Sequence, residues 1–201
     1  MARSKKGAVR TGKVIVFLDE SGVSLRPSVR RTWAPQGRTP QQRECLNWKR
    51  LSMISALAWQ PGKMRIRLFL SIRLASIKGD DVIAFLRSLR RHLRSPVALI
   101  WDRLPAHRGK NVRHYIQSQS HWLTVNWLPP YAPELNPVED VWANLDANEL
   151  ANFAPDDLAP VVRQVRKGAR RIRRRKDLPW GFFCHPKLLK PHEIPNLCKA
   201  Q

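Results

Sequence analysis

A chain of 201 residues that sets 37 Lys and Arg against 15 Asp and Glu carries a formal charge of +22. An excess of that size draws polyanions, because basic side chains displace condensed counterions from phosphates, so nucleic acid is the expected partner of what the length suggests is one compact domain. Cys45, Cys184 and Cys198 are an odd number at unrelated spacings, no CxxC pair anchors a zinc site among Cys184, His185, His192 and Cys198, and neither the basic start MARSKKGAVR nor any later segment reads as a signal peptide or membrane span, which argues against a disulfide framework and for a cytoplasmic protein.

In chain order, residues 14–18 (VIVFL) form a short apolar run rich in β-branched and aromatic residues, and the run stops at Asp19 and the turn-like Ser21-Gly22. It reads as a buried strand. Residues 51–59 and 64–74 read as two further strands joined by Gln60-Pro61-Gly62-Lys63, the second alternating basic with apolar side chains as a half-exposed strand does. Gly79-Asp80-Asp81 then opens a segment with Val82, Ile83, Phe85, Leu86, Leu89 and Leu93 near helical spacing and arginines on the other face. Residues 97–101 (VALIW) are a second apolar strand, ended by Asp102, and a helix near 109–120 and a short strand at 123–128 follow. After the proline-rich stretch LPPYAPELNPVEDVW (128–142) a helix starts at about Pro137, and a last helix over 156–175 carries one apolar stripe against a dense run of Arg and Lys. Residues 177–201, with four prolines, read as an irregular tail behind a core domain at 13–176 and a basic N-terminal tail at 1–12. Strands first, then strands alternating with helices, predict an α/β domain: a mixed sheet of about five strands with helices on both faces.

The chemistry lies in the acids. Strands buried on both faces are usually central, so the ends of 14–18 and 97–101 can lie side by side and bring Asp19 next to Asp102. Two carboxylates ~4 Å apart repel by roughly 1 kcal/mol in water and about 4 kcal/mol at an effective dielectric of 20, so such a pair calls for a proton or a cation. Oxygen donors from aspartate suit a hard ion, Mg²⁺ or Mn²⁺ in its place. Asn136 is a natural N-cap, Pro137 fits the first helical position, and Glu139 falls on the first turn of the helix behind a loop whose prolines restrict its path. Two readings of Glu139 remain: a capping box, in which it reaches back to the Asn136 N–H, or a third acid facing the aspartates.

Asp19 in VFLDESG, Asp102 in LIWDRLPAH and Glu139 in LPPYAPELNPVEDVW, with RTWAPQGRTP between the first two, resemble the catalytic domain of a DDE transposase of the mariner superfamily, in its bacterial insertion-sequence branch. The resemblance covers roughly residues 13–150, and the interval from Asp102 to Glu139 is similar to the family's. It implies an RNase H-like fold whose first and fourth strands carry the aspartates and whose helix after the fifth strand supplies the glutamate. It also implies two Mg²⁺ ions (or Mn²⁺), with Asp19 bridging both, Asp102 holding one and Glu139 the other, for phosphodiester hydrolysis and strand transfer on DNA at transposon ends. A homodimer is implied as well, in a nucleoid-associated protein.

Around this triad, Glu20 is expected on the opposite strand face and Asp140 about 100° round the helix from Glu139. His107 matches a histidine of the family's second motif. Arg103 departs from the asparagine common there, and a guanidinium beside a cation site suits phosphate better than metal. Arg103, His107, Arg163, Arg166, Arg170, Arg171, Arg173, Arg174 and Arg175 are the candidate DNA contacts, the arginines after 163 having no acidic neighbour in sequence before Lys176. Trp33, Trp48 and Trp59 are candidates for base stacking or for packing. Only about a dozen residues precede the first strand, so the helix-turn-helix modules that read transposon ends are expected on a separate chain or to be lost. The competing readings are a non-catalytic DNA-binding remnant, favoured by Arg103, and an RNase H-like nuclease acting on hybrids or junctions.

Overall fold

The computed structural model describes residues 12–26, 28–41, 49–102, 109–130 and 132–185. Its centre is a five-stranded sheet in the order β3-β2-β1-β4-β5, formed by β1 (Val14–Ser24), β2 (Arg50–Trp59), β3 (Ile66–Arg73), β4 (Val97–Trp101) and β5 (Leu123–Trp127). The first three strands are antiparallel neighbours and the last two run parallel to β1, so the sheet is mixed as expected. The β2–β3 hairpin closes on Gln60–Lys63, where Lys63 N–H donates to Gln60 O at 3.0 Å and Gly62 takes φ 83°. Pro61 followed by a glycine at positive φ is the type II pattern, which a side chain at position 62 would strain.

The β1 strand outruns its expected end. Its pairing with β2 continues through Asp19↔Ser55 to Ser24↔Arg50, so Ser21-Gly22 is extended backbone and not a turn; the partner strand supplies hydrogen bonds that local turn preference cannot match. Period-two alternation then sorts the strand onto two cores. Val14, Val16 and Leu18 face one, with α1 (Gly79–His92) and α2 (Lys110–Ser118). Ile15 and Phe17 face the other, with α3 (Val138–Asn148), α4 (Leu158–Arg174) and α5 (Asp177–Cys184).

The α5 helix corrects the reading of 177–201 as irregular. Residues 177–184 are helical, and Pro179 causes no break because it sits in the first turn, where a backbone N–H has no intrahelical partner to lose. What holds the helix is burial: Trp180 and Phe183 are each 1% exposed. Their rings meet Trp59 and Phe17 edge-on at 6.0 and 5.4 Å, and each contributes roughly 1.5–3 kcal/mol by leaving water. Trp59 is therefore a core residue whose indole N–H donates to Lys63 O at 3.1 Å, while Trp33 is 99% exposed and Trp48 lies outside the described residues. The α3 and α4 helices touch at Gly168, where an added Cβ would meet Leu145 Cδ2 at 2.3 Å. No helix among the described residues is long and apolar enough to cross a membrane.

Candidate active site

Asp19 belongs by alternation to the β1 face that carries Ile15 and Phe17, under α3. It is a buried acid, 7% exposed, and its Oδ2 accepts the indole N–H of Trp142 at 2.7 Å. The parallel β1–β4 register runs to Phe17↔Ile100; two residues further along, Asp19 lies on β1 and Asp102 just past the end of β4, where continued alternation would turn it to that same face. Asp102 is half-buried.

The proline-rich loop is tied down at both ends, one residue before each aspartate. At its start Leu128 N–H donates to Trp101 O at 2.7 Å. At its end the Asn136 carboxamide donates from Nδ2 to Leu18 O at 3.1 Å and accepts Val138 N–H on Oδ1 at 3.2 Å. Between the anchors Pro133–Leu135 forms a 3₁₀ turn, and the fixed φ of each proline leaves the path few alternatives. Asn136 thus caps the helix, as expected, and also pins it to β1. The capping-box reading of Glu139 fails, since Asn136 N–H donates instead to Pro133 O at 2.8 Å. Glu139 is exposed on the first turn of α3.

The acids act on one another through charge. The Asp19 carboxyl is pushed up to about 7, chiefly by burial and further by the charges of Glu139, Asp102 and Glu20, against the Trp142 hydrogen bond, which lowers it. Glu139, although exposed as a residue, is also raised, first by the partial loss of water around its carboxyl, then by the charges of Asp102 and Asp140. Among the described residues no group of three or more His, Cys, Asp and Glu side chains is drawn together closely enough to hold a metal ion. A buried, proton-hungry carboxylate such as Asp19 is nonetheless the kind of oxygen donor that suits a hard divalent cation, which takes one or two carboxylates and keeps several waters.

The neighbours sort by geometry. Glu20 follows Asp19 onto the other face of β1, and its charge is the last of those acting on Asp19. Asp140 turns toward α5, with Oδ2 3.1 Å from His185 Nδ1. Arg103 and His107 lie outside the described residues.

The arginines of α4 divide. Arg171 makes two hydrogen bonds to Glu149, at 2.7 and 2.8 Å, and one to Asn144 at 2.7 Å. Arg173 donates to Leu68 O at 3.1 Å and Arg175 pairs with Asp177 at 2.6 Å. Arg171 is half-buried under its contacts, whereas Arg173 and Arg175 stay exposed beside theirs. Arg163, Arg166, Arg170 and Arg174 are exposed. Trp142 went unread as a site residue; the signal was its position one helical turn after Glu139, on the same face of α3.

The model of the DDE superfamily endonucleases matches residues 14–158, and the chain belongs to that family. Among curated proteins none matches the sequence. Of solved structures, the Mos1 mariner paired end complex with Mn is similar at TM-score 0.63 and 18% identity, over 92% of this chain and 56% of that one. The catalytic domain of Mos1 mariner transposase is similar at TM-score 0.57 and 14% identity, over 99% of this chain and 86% of that one. A simian T-cell lymphotropic virus intasome in complex with PP2A regulatory subunit B56 gamma is similar at TM-score 0.54 and 15% identity, over 90% and 57%. The chain spans little more than half the length of the Mos1 chain in the paired end complex. The likeness is one of fold, and that fold is RNase H-like.

Proposed function

We propose that this chain is the catalytic domain of a DNA transposase of the mariner superfamily, in its bacterial insertion-sequence branch, with Asp19, Asp102 and Glu139 as its metal-binding acids. One observation carries the reading: the loop that delivers Glu139 is fastened beside both aspartates, at Trp101 and Leu18, and Trp142 from the same helix holds Asp19. A helix cap alone would need none of those three contacts. The wider assignment keeps residues 13–176 as the catalytic unit, now extended by the packing of α5, with 1–12 as a basic tail.

Asp19, Asp102 and Glu139 would hold two Mg²⁺ ions, or Mn²⁺, which would supply an activated attacking oxygen and charge neutralisation at the leaving oxygen. The chain's own residues do the positioning. Trp142 fixes the Asp19 carboxylate by donating to one oxygen and leaving the other to the site. Asn136 sets the height of the first turn of α3 over the strand ends, and so the reach of Glu139. Arg163, Arg166, Arg170 and Arg174 hold the DNA backbone without reading sequence, and Arg103 and His107 add contacts after Asp102. Recognition of transposon ends falls to helix-turn-helix modules on another segment or chain, and a homodimer brings two ends together at the nucleoid. A non-catalytic remnant is not favoured, because it gives no reason to keep three repelling acids around a buried carboxylate.

The test is nicking of labelled duplex carrying the element's ends, with the end-reading modules supplied, in Mg²⁺ or Mn²⁺. Wild type is expected to nick only with the cation, and Asp102→Ala and Glu139→Ala to lose at least about a hundredfold in rate, a typical cost of deleting one preorganised charge-stabilising group. Metal-dependent nicking that survives both substitutions would overturn the assignment.

A further inference from the structure

The sheet face away from the acids carries a second basic feature. There α1 and α2 leave an open cleft of about 800 Å³ lined by Arg87, Arg90, Arg91, Tyr115, Ser118 and Gln119. Val82, Ile83, Phe85, Leu86 and Leu89 turn α1 inward, which forces Arg87, Arg90 and Arg91 outward at i, i+3 and i+4. That stripe covers about 6 Å of helix axis, the axial length of about two phosphates on one DNA strand.

Two of the arginines are held in place, and not by acids. Arg87 lies over the Tyr115 ring, 5.5 Å from its centroid. Arg90 reaches across to Gln119 Oε1 and stands 3.2 Å from His121 Nε2. None of the ion pairs among the described residues includes Arg87, Arg90 or Arg91. A solvated charged face usually mixes signs, whereas two held guanidiniums and a third, Arg91, beside them with no carboxylate between suit a phosphate.

We propose that the α1–α2 cleft binds the phosphate backbone of a second DNA segment, separate from the one that meets the acids. The sheet lies between the two sites, since α1 and α2 pack on the face of Val14, Val16 and Leu18 and the acids sit on the face of Ile15 and Phe17. A short straight duplex cannot touch both. The inference rests on the proposed function only in taking DNA as the partner, and holds whether or not the acids cut.

The experiment measures binding of a random-sequence duplex of about 16 base pairs to the full chain in EDTA, by anisotropy across a salt series and by stoichiometric titration. The triple variant Arg87→Gln/Arg90→Gln/Arg91→Gln is expected to bind one duplex where wild type binds two, and to flatten the slope of log Kobs against log salt by about 2 to 3. Lysines at the same three positions should restore the slope, and an unchanged melting temperature shows that the fold is intact. Asp102→Ala separates the two readings: loss of nicking with the salt slope unchanged leaves the cleft standing whatever becomes of the catalytic assignment. Unchanged slope and stoichiometry in the glutamine variant overturn the proposal. So does a glutamine variant that loses only self-association, which would make the cleft a protein contact.

Discussion

Asp19→Asn should make the metal-free protein more stable. The Asp19 carboxyl rises from 3.8 in the unfolded chain to about 7 in the folded one. Between those values the native state keeps a proton that the unfolded chain has released, so the contribution of Asp19 to stability is fully present below about pH 4, falls as pH rises, and levels off above 7. Roughly three units at 1.36 kcal/mol each give about 4 kcal/mol at pH 8. Asparagine keeps an oxygen for the Trp142 N–H now at 2.7 Å and carries no charge to bury. In a chain of this size about 4 kcal/mol corresponds to roughly 8–16 °C in melting temperature. The assay is thermal unfolding of wild type and Asp19→Asn in EDTA from pH 4 to 8. The variant should melt higher at pH 8, and the gap should shrink toward zero by pH 4. Added Mg²⁺ at about 10 mM should raise wild type and not the variant, because a ligand of the native state stabilises only the protein that binds it. A wild type as stable as Asp19→Asn at pH 8 without metal would refute a buried, repelled carboxylate at this position.

Trp142→Phe removes the hydrogen bond that offsets the upward push on Asp19, so the pH at which divalent cation begins to bind should move up, read by calorimetric titration, with a stability loss of roughly 1–3 kcal/mol. Arg171→Ala strands Glu149, whose side chain is 6% exposed, and should cost roughly 3–5 kcal/mol by denaturant unfolding. The exposed Arg170→Ala should leave stability within about 0.5 kcal/mol and instead flatten the salt dependence of DNA binding by about one unit.

The elements set by local pattern could be read directly. VALIW is bounded by a polar loop on either side, and β4 covers that stretch; the apolar spacing from Val82 to Leu89 gave α1. What depended on distant partners was hidden. Nothing near Ser21-Gly22 announces that Met53 and Ser52 will pair with them, so the end of β1 was misplaced. Prolines near 179 looked like loop because the aromatic rings that receive Trp180 and Phe183 come from Trp59 and Phe17. The same holds at the site. The order of the acids was visible, but the α4 arginines read as one group when Glu149, Leu68 and Asp177 take three of them.

The position of α5 bears on how much of this polypeptide is expendable. The family match ends at residue 158, yet Phe183 and Trp180 close the apolar layer beneath the strand that carries Asp19. A fragment trimmed to the matched stretch would wet Phe17 and Trp59, and the loosened floor would reach the acid two residues along. Shortening from the C-terminal side should therefore disable the site well before it removes any residue that touches it.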